Sequence, residues 1–141
     1  MKFGTMLSDI FTSLFQAPVT QKYPFERQPT PQRLRGKLTW DPDRCSACSL
    51  CAKECPANAL QVITVDRNNR RYVMRYQMDR CTYCAQCALN CRFKCIQLGS
   101  EDWELAALDK KAFTVYYGRE TDVNTYLEET GDPNAEKPGP D

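Results

Sequence analysis

The sequence predicts an α+β fold built from two β-α-β halves, flanked by an N-terminal helical arm and an acidic C-terminal stretch. Three observations predict it. All nine cysteines lie between Cys45 and Cys95, and eight of them fall into two runs of the same spacing. The surrounding segment repeats itself thirty-six residues on: Asp43-Arg44-Cys45 matches Asp79-Arg80-Cys81, Trp40 matches Tyr76, and Leu60-Gln61 matches Ile96-Gln97. Short runs of strand composition, Lys37–Asp41, Leu60–Val65 and Arg70–Gln77, lie between and beside the cysteine runs. A repeat of this kind reads as two halves related by a pseudo-two-fold axis.

The elements follow in chain order. Residues 1–16 read as an amphipathic docking helix. Phe3, Met6, Leu7, Ile10, Phe11, Leu14 and Phe15 recur at helical spacing and form one apolar stripe, and Pro18 ends the helix soon after. The opposite face is polar but nearly uncharged, which favours a protein partner or membrane subunit over bare anionic lipid. Its apolar run is interrupted by polar residues and no small-residue cleavage site follows, unlike a signal peptide. Residues 17–36 carry Pro18, Pro24, Pro29 and Pro31 with Tyr23 and Phe25 between them, the composition of an extended strap. Residues 37–98 hold the repeat. Within it Asp66-Arg67-Asn68-Asn69 is a turn between strands, and short helices are expected to start near Cys55 and Cys91. Residues 99–117 read as a capping segment, with Trp103, Leu105 and Leu108 against the domain and Phe113–Tyr117 of strand composition. Residues 118–141 are acidic and are expected to be a mobile tail.

The cysteines carry the chemistry. Cys45, Cys48, Cys51 and Cys55 form a C-x₂-C-x₂-C-x₃-C-P run; Cys81, Cys84, Cys87 and Cys91 repeat the spacing, with Arg92 in place of the proline. Three thiolates at i, i+3 and i+6 fit a loop wrapped around a cuboidal cluster, and in two-cluster proteins the fourth cysteine of each run serves the other centre. The reading is therefore two [4Fe–4S] clusters. Cys45, Cys48, Cys51 and Cys91 hold the first; Cys81, Cys84, Cys87 and Cys55 hold the second. The odd cysteine count fits no disulfide scaffold, and zinc knuckles leave no role for a third cysteine at i+6. The absence of histidine removes mixed Cys/His zinc sites and Rieske-type ligation. The domain of about 60 residues is too small for a self-sufficient apolar core, so bound clusters supply part of its interior.

Two features sit beside the ligands. Cys95, the ninth cysteine, stands where the first half has Ala59, and reads as a small buried residue next to a cluster. Arg92 and Lys94 follow Cys91 where the first half has the uncharged Pro56 and Asn58, which makes them candidates for tuning the first centre or for docking.

Residues 1–98 carry 15 Lys and Arg against 7 Asp and Glu, and residues 99–141 carry 4 against 11, so the net charge of +1 hides a basic cluster domain. Freely diffusing low-potential carriers are acidic throughout, so a basic domain looks like a docked subunit. No nucleic-acid-binding module is recognisable. No run of 18 or more apolar residues exists to span a bilayer. Oxygen-labile clusters and free thiols place the chain in the reducing cytoplasm. The sequence has no Walker A loop, no G-x-S-x-G and no G-x-G-x-x-G, so conduction of electrons without bond-making chemistry is expected.

The doubled cysteine run is of the bacterial two-cluster ferredoxin-like type. Together with the amphipathic N-terminal helix, the Tyr-Pro strap, Arg35-Gly36-Lys37 and Trp103-Glu104-Leu105-Ala106, it resembles the two-cluster ferredoxin-like subunit of the complex I superfamily. The short form in anaerobic, membrane-bound, energy-converting [NiFe] hydrogenases and formate hydrogenlyases is the nearest match. This resemblance implies a non-catalytic electron-transfer subunit on the cytoplasmic face of the cell membrane. Phe3, Leu7, Ile10, Phe11 and Leu14 would dock on a membrane-arm subunit. External reduced ferredoxin would donate, and the hydrogenase small and large subunits would accept while membrane subunits translocate ions. A relay in a quinone-reducing complex I and a soluble ferredoxin carrier are the alternatives.

Overall fold

The computed structural model describes residues 4, 6–100, 106 and 108–131. Phe3, Trp103 and Leu105 lie outside them, as do residues 132–141 of the acidic stretch. The elements run α1 (Leu7–Phe15), β1 (Leu38–Trp40), α2 (Leu50–Lys53), β2 (Leu60–Asp66), β3 (Arg71–Gln77), α3 (Gln86–Leu89), β4 (Ile96–Leu98), β5 (Thr114–Tyr117) and α4 (Glu120–Thr130), with a 3₁₀ turn at Lys110–Phe113 before β5. The molecule is a small mixed helix and sheet structure.

Two antiparallel sheets carry the cysteine loops. β1 pairs with β4, setting Trp40 opposite Ile96, and β2 pairs with β3, setting Leu60 opposite Tyr76. Beyond the ladders, Asp41 N donates to the Cys95 carbonyl at 2.8 Å and Gln77 N to the Ala59 carbonyl at 2.9 Å. Each of these contacts is matched by the other thirty-six residues away. The Asp66 carboxylate accepts from Asn68 N at 2.9 Å and from Asn69 Nδ2 at 2.6 Å, closing the β2–β3 turn.

The short helices end before Cys55 and Cys91 rather than starting there. Proline at 56 and a left-handed residue at Asn58 or Lys94 prevent the chain from continuing as helix beyond the fourth cysteine of each run. The helices therefore span the gap between third and fourth cysteines, and the fourth thiol hangs from the turn that follows.

Strand periodicity explains the core. Tyr72, Met74 and Tyr76 of β3 face one side, where they meet Leu38, Trp40, Ala59, Leu60, Cys95 and Ile96 with six of the other eight cysteines packed around them. Val73 faces the other side and packs with Tyr116 and Val123. A central strand buried on both faces needs a cover on each.

That second cover corrects the expectation of a mobile tail for residues 118–131. α4 lies within the acidic stretch and packs on the sheet through Val123, which is fully buried. Its polar surface and many charged residues hid a stripe of Val123, Tyr126 and Leu127. Gly118 makes the approach possible: a Cβ there would stand 3.1 Å from Val123 Cγ2 and 3.2 Å from the Tyr72 carbonyl oxygen. The buried Asp122 carboxylate accepts from Arg71 Nε at 2.5 Å. The capping role given to Leu108 is also corrected, since its side chain is fully exposed; the helix on the sheet covers what Leu108 does not.

The Arg71–Asp122 pair is asymmetric, and so is the expected cost of breaking it. Arg71 reaches water while Asp122 does not. Arg71→Ala leaves an uncompensated buried carboxylate and should cost about 3 kcal/mol. Asp122→Ala leaves a cation that solvent can reach and should cost about 1 kcal/mol. Hydrogen exchange of the α4 amides reads both, and equal protection in the two variants would contradict the argument.

Candidate metal centres

Each cysteine loop is shaped by residues in the left-handed region. Ala47 and Ser49 have φ of 53° and 57°, and Tyr83 and Ala85 at the matching positions have 52° and 63°. Asn58 and Lys94, just past the fourth cysteine of each run, both have 48°. Left-handed backbone is unfavourable for L-residues other than glycine, by roughly 1–2 kcal/mol each. Six such residues in two matched sets are strain gathered at one place, a mark of functional loops. The loops turn amides toward sulfur: Ala47 N donates to Cys45 Sγ at 3.4 Å, Tyr83 N to Cys81 Sγ at 3.4 Å, and Ala59 N to Cys55 Sγ at 3.3 Å.

The result is two cavities. Cys45, Cys48, Cys51 and Cys91 wall one, closed by Trp40, Val62, Phe93, Cys95 and Ile96. Cys55, Cys81, Cys84 and Cys87 wall the other, closed by Leu38, Leu60, Tyr83 and Leu98. All nine thiols are free. Among the described residues no three Cys, Asp or Glu side chains gather as ligands of a single ion. A cubane takes one thiolate per iron, so its four cysteines surround a space rather than a point.

Burial governs the thiols' ionisation. Cys51 and Cys87, at matching positions, are pushed up to about 11, chiefly by burial, with neighbouring thiols adding to it. Cys84 is exposed and lowered, first by the Gln86 backbone N–H, with the Arg35 guanidinium contributing. Arg35 also donates to the Cys84 carbonyl at 2.8 Å, which ties the end of the strap to the second loop. Crowded thiols of this kind are poised to exchange protons for metal.

Cys95 is buried, with its sulfur 3.3 Å from Cys91 Sγ. Burial raises Cys95, and the Cys91 sulfur beside it raises it further. For Cys91 burial acts upward, but hydrogen bonds from the Cys95 backbone and thiol outweigh it and lower the group. The two sulfurs therefore share a hydrogen bond in which either thiol can be the donor. Arg92 and Lys94 are both exposed; Lys94 borders a polar hollow with Thr39, Asp41, Arg44 and Gln97 on the outer side of Trp40. Leu7, Ile10, Phe11 and Leu14 of α1 stand away from both cavities and are exposed.

Sequence reasoning missed two polar atoms near the cysteines. Trp40 Nε1 and Tyr76 Oη are buried and have no hydrogen-bond partner among the described residues. The Tyr76 hydroxyl lies near enough to the Cys81 thiol and the Tyr83 hydroxyl for both to act on its ionisation, yet meets neither in hydrogen-bonding geometry. The signal was present, since Trp40 and Tyr76 match in the repeat; what the sequence lacks is any mark of an unpaired donor. With nine thiols around two cavities and two unpaired donors close by, the residues present fit sulfur-rich clusters.

Comparison with known proteins agrees with this donor set. Residues 38–61 match the family model described as a 4Fe-4S binding domain. NAD(P)H-quinone oxidoreductase subunit I of Crocosphaera subtropica is 40% identical over 112 residues, which cover 76% of this chain and 56% of that protein. The corresponding subunit of Trichodesmium erythraeum is 38% identical over the same length, covering 53% of that protein. NADH-quinone oxidoreductase subunit I of Carboxydothermus hydrogenoformans is 35% identical over 72 residues, 50% of this chain and 51% of that protein. The chain thus spans about half the length of the curated relatives it matches. In fold it is similar to a chain from the structure of the membrane-bound sulfane sulfur reductase, an archaeal respiratory membrane complex, with a TM-score of 0.65 and 21% identity over 92% of this chain and 71% of that one. The chain thus carries a segment that matches a 4Fe–4S binding domain, and it is similar to subunit I of the NAD(P)H-quinone oxidoreductases over about half of their length.

Proposed function

We propose that the chain is the electron-relay iron–sulfur subunit of a membrane-bound respiratory complex, non-catalytic on its own. It would pass single electrons from reduced ferredoxin, or another low-potential donor, towards a [NiFe] hydrogenase while membrane subunits couple the transfer to ion translocation. The observation that best supports a relay is the pair of cavities, one walled by four free thiols and the other by four with the Cys95 thiol beside them.

Cys45, Cys48, Cys51 and Cys91 would hold one [4Fe–4S] cluster and Cys81, Cys84, Cys87 and Cys55 the other, the two halves forming a pseudo-two-fold unit. When bound, a cubane with every iron capped by a protein thiolate supplies a one-electron centre and no open site for substrate. The chain's residues do the rest. Leu38, Leu60 and Leu98 on one side and Val62 and Ile96 on the other limit water at the thiols. Amides of Ala47, Ala59 and Tyr83 donate to sulfur and favour negative charge there. Arg92 and Lys94 lie in solvent, where screening limits their effect on either centre and leaves them available for docking.

A cytoplasmic-face position would follow from docking through α1 on a membrane-arm subunit. Among the described residues no helix is long and apolar enough to cross a membrane. A second reading, a relay in a quinone-reducing complex of the complex I type, is favoured by relatives named as NAD(P)H-quinone oxidoreductase subunit I. Anaerobic purification through a tag on this chain tests both. A relay subunit brings membrane partners with it and carries about eight irons per chain. Hydrogen evolution from reduced ferredoxin supports the first reading, quinone reduction the second, and a monomer free of membrane the soluble carrier instead.

A further inference from the structure

Trp40 and Tyr76 occupy matching places in the two halves. Trp40 ends β1 opposite Ile96, and Tyr76 lies in β3 opposite Leu60. Each precedes the first cysteine of its run by the same number of residues. Both side chains are buried, Tyr76 completely. Buried Tyr and Trp ordinarily find a partner for the polar atom, because an unmade hydrogen bond in a dry interior is costly. Here neither atom has one among the described residues, and phenylalanine at either position would have filled the apolar core without the penalty.

Their neighbours are sulfur. Trp40 walls the cavity of Cys45, Cys48, Cys51 and Cys91. The Tyr76 ring belongs to the core on which Cys55, Cys81 and Cys87 pack, and its hydroxyl is beside Cys81. We propose that Tyr76 Oη–H and Trp40 Nε1–H are paired hydrogen-bond donors, Tyr76 to the Cys81 thiolate of the second cluster and Trp40 to sulfur of the first, so that each half carries its own side-chain control of potential. This rests on the two-cluster reading.

The direction follows from charge. A donor to sulfur binds more strongly as the centre gains negative charge, so it stabilises the reduced form and raises the midpoint. The two donors differ in strength and geometry, which separates the potentials of two otherwise matching halves. The competitor for Tyr76 is the Tyr83 hydroxyl, which also acts on its ionisation.

The test uses the full chain, anaerobically reconstituted, with iron and EPR spin quantified first. Fewer than about eight irons in the unmutated protein would defeat the two-cluster reading itself. With both clusters present, Tyr76→Phe keeps the ring and removes only the hydroxyl. It should shift the reduction equilibrium of the second centre about tenfold toward the oxidised form, about 59 mV for a one-electron couple, and leave the first unchanged. Trp40→Phe should act on the first centre alone. In the unmutated protein, electron–nuclear double resonance after transfer to D₂O should show one exchangeable proton coupled to each reduced centre, and the corresponding variant should lack it. Unchanged midpoints at full iron content, or no exchangeable proton beyond those of the backbone amides, would overturn the proposal; bonding of Tyr76 to Tyr83 would give that result. The resonance measurement needs no variant, so poor folding of Trp40→Phe would leave the proposal open to refutation.

Discussion

Cys55→Ala should abolish the centre walled by Cys81, Cys84 and Cys87 and spare the one walled by Cys45, Cys48, Cys51 and Cys91. The substitution lies in the first cysteine run, so the loss would fall on the other run's loop. The reason is local. α2 stops at Lys53, and the turn after it carries the Cys55 sulfur to the cavity of the second loop, where Ala59 N holds it at 3.3 Å. Iron content should fall from about eight to about four per chain, with the EPR signal of one centre intact. Cys55 is a cleaner choice than Cys91. Beside Cys91 stands the Cys95 thiol, 3.3 Å away and able to substitute as a ligand, whereas the position matching Cys95 in the first half is Ala59. Loss of the Cys45 centre in the Cys55→Ala protein would refute crosswise ligation. Loss of both centres with an unfolded chain would be distinguished by the far-UV spectrum, and by comparison with Cys81→Ala, which should remove the same centre.

The parts legible in the sequence are those fixed by local periodicity. Strand alternation located β2 and β3 to within a residue or so, and helical spacing located α1, although the described helix begins at Leu7. The two short helices were legible as elements but were set too late in the chain, at the fourth cysteine of each run rather than around the third. α4 was not legible. Its stripe is three side chains among acidic residues, and what holds it is non-local: Gly118 closing on Tyr72, and Asp122 meeting Arg71 fifty-one positions earlier. Near the cysteines, spacing marked the thiols, since ligands on one loop must be close in sequence. Left-handed φ at Ala47, Ser49, Tyr83 and Ala85 had no signal, because none of these is glycine or asparagine. The partnership of Cys95 with Cys91 could be suspected from the odd count. The unpaired donors on Trp40 and Tyr76 could not, because only packing decides which polar atoms lose water.

On the proposed reading, removing residues 1–16 should leave both centres in place and release the chain from the membrane complex. α1 contributes no buried residue, and Leu7, Ile10, Phe11, Leu14 and Phe15 are each more than half exposed. Met6 is exposed as well, so the apolar stripe is continuous and uncovered within the described residues. Burying such side chains on a partner gains about 1.5–3 kcal/mol apiece before the cost of association. That cost removes several kcal/mol but is shared with other contacts of the same subunit, so the helix can decide between a held and a lost subunit. The cluster domain has no need of it. The strap is exposed from Ala17 through Pro29, and Arg35 on the Cys84 carbonyl and Gly36 N on the Gly99 carbonyl at 2.7 Å fasten its end to the cluster domain. A cut after Gln16 spares them all. Leu7, Phe11 and Leu14 changed together to Gln should reproduce the release without shortening the chain, whereas Ser8, Thr12 and Ser13 changed to Ala should not. The measurement is the amount of this chain recovered with the membrane partners after anaerobic affinity purification, alongside its iron content. Recovery in full stoichiometry by the truncated chain would show that α1 is not the dock, and loss of iron would show that it supports the cluster domain after all.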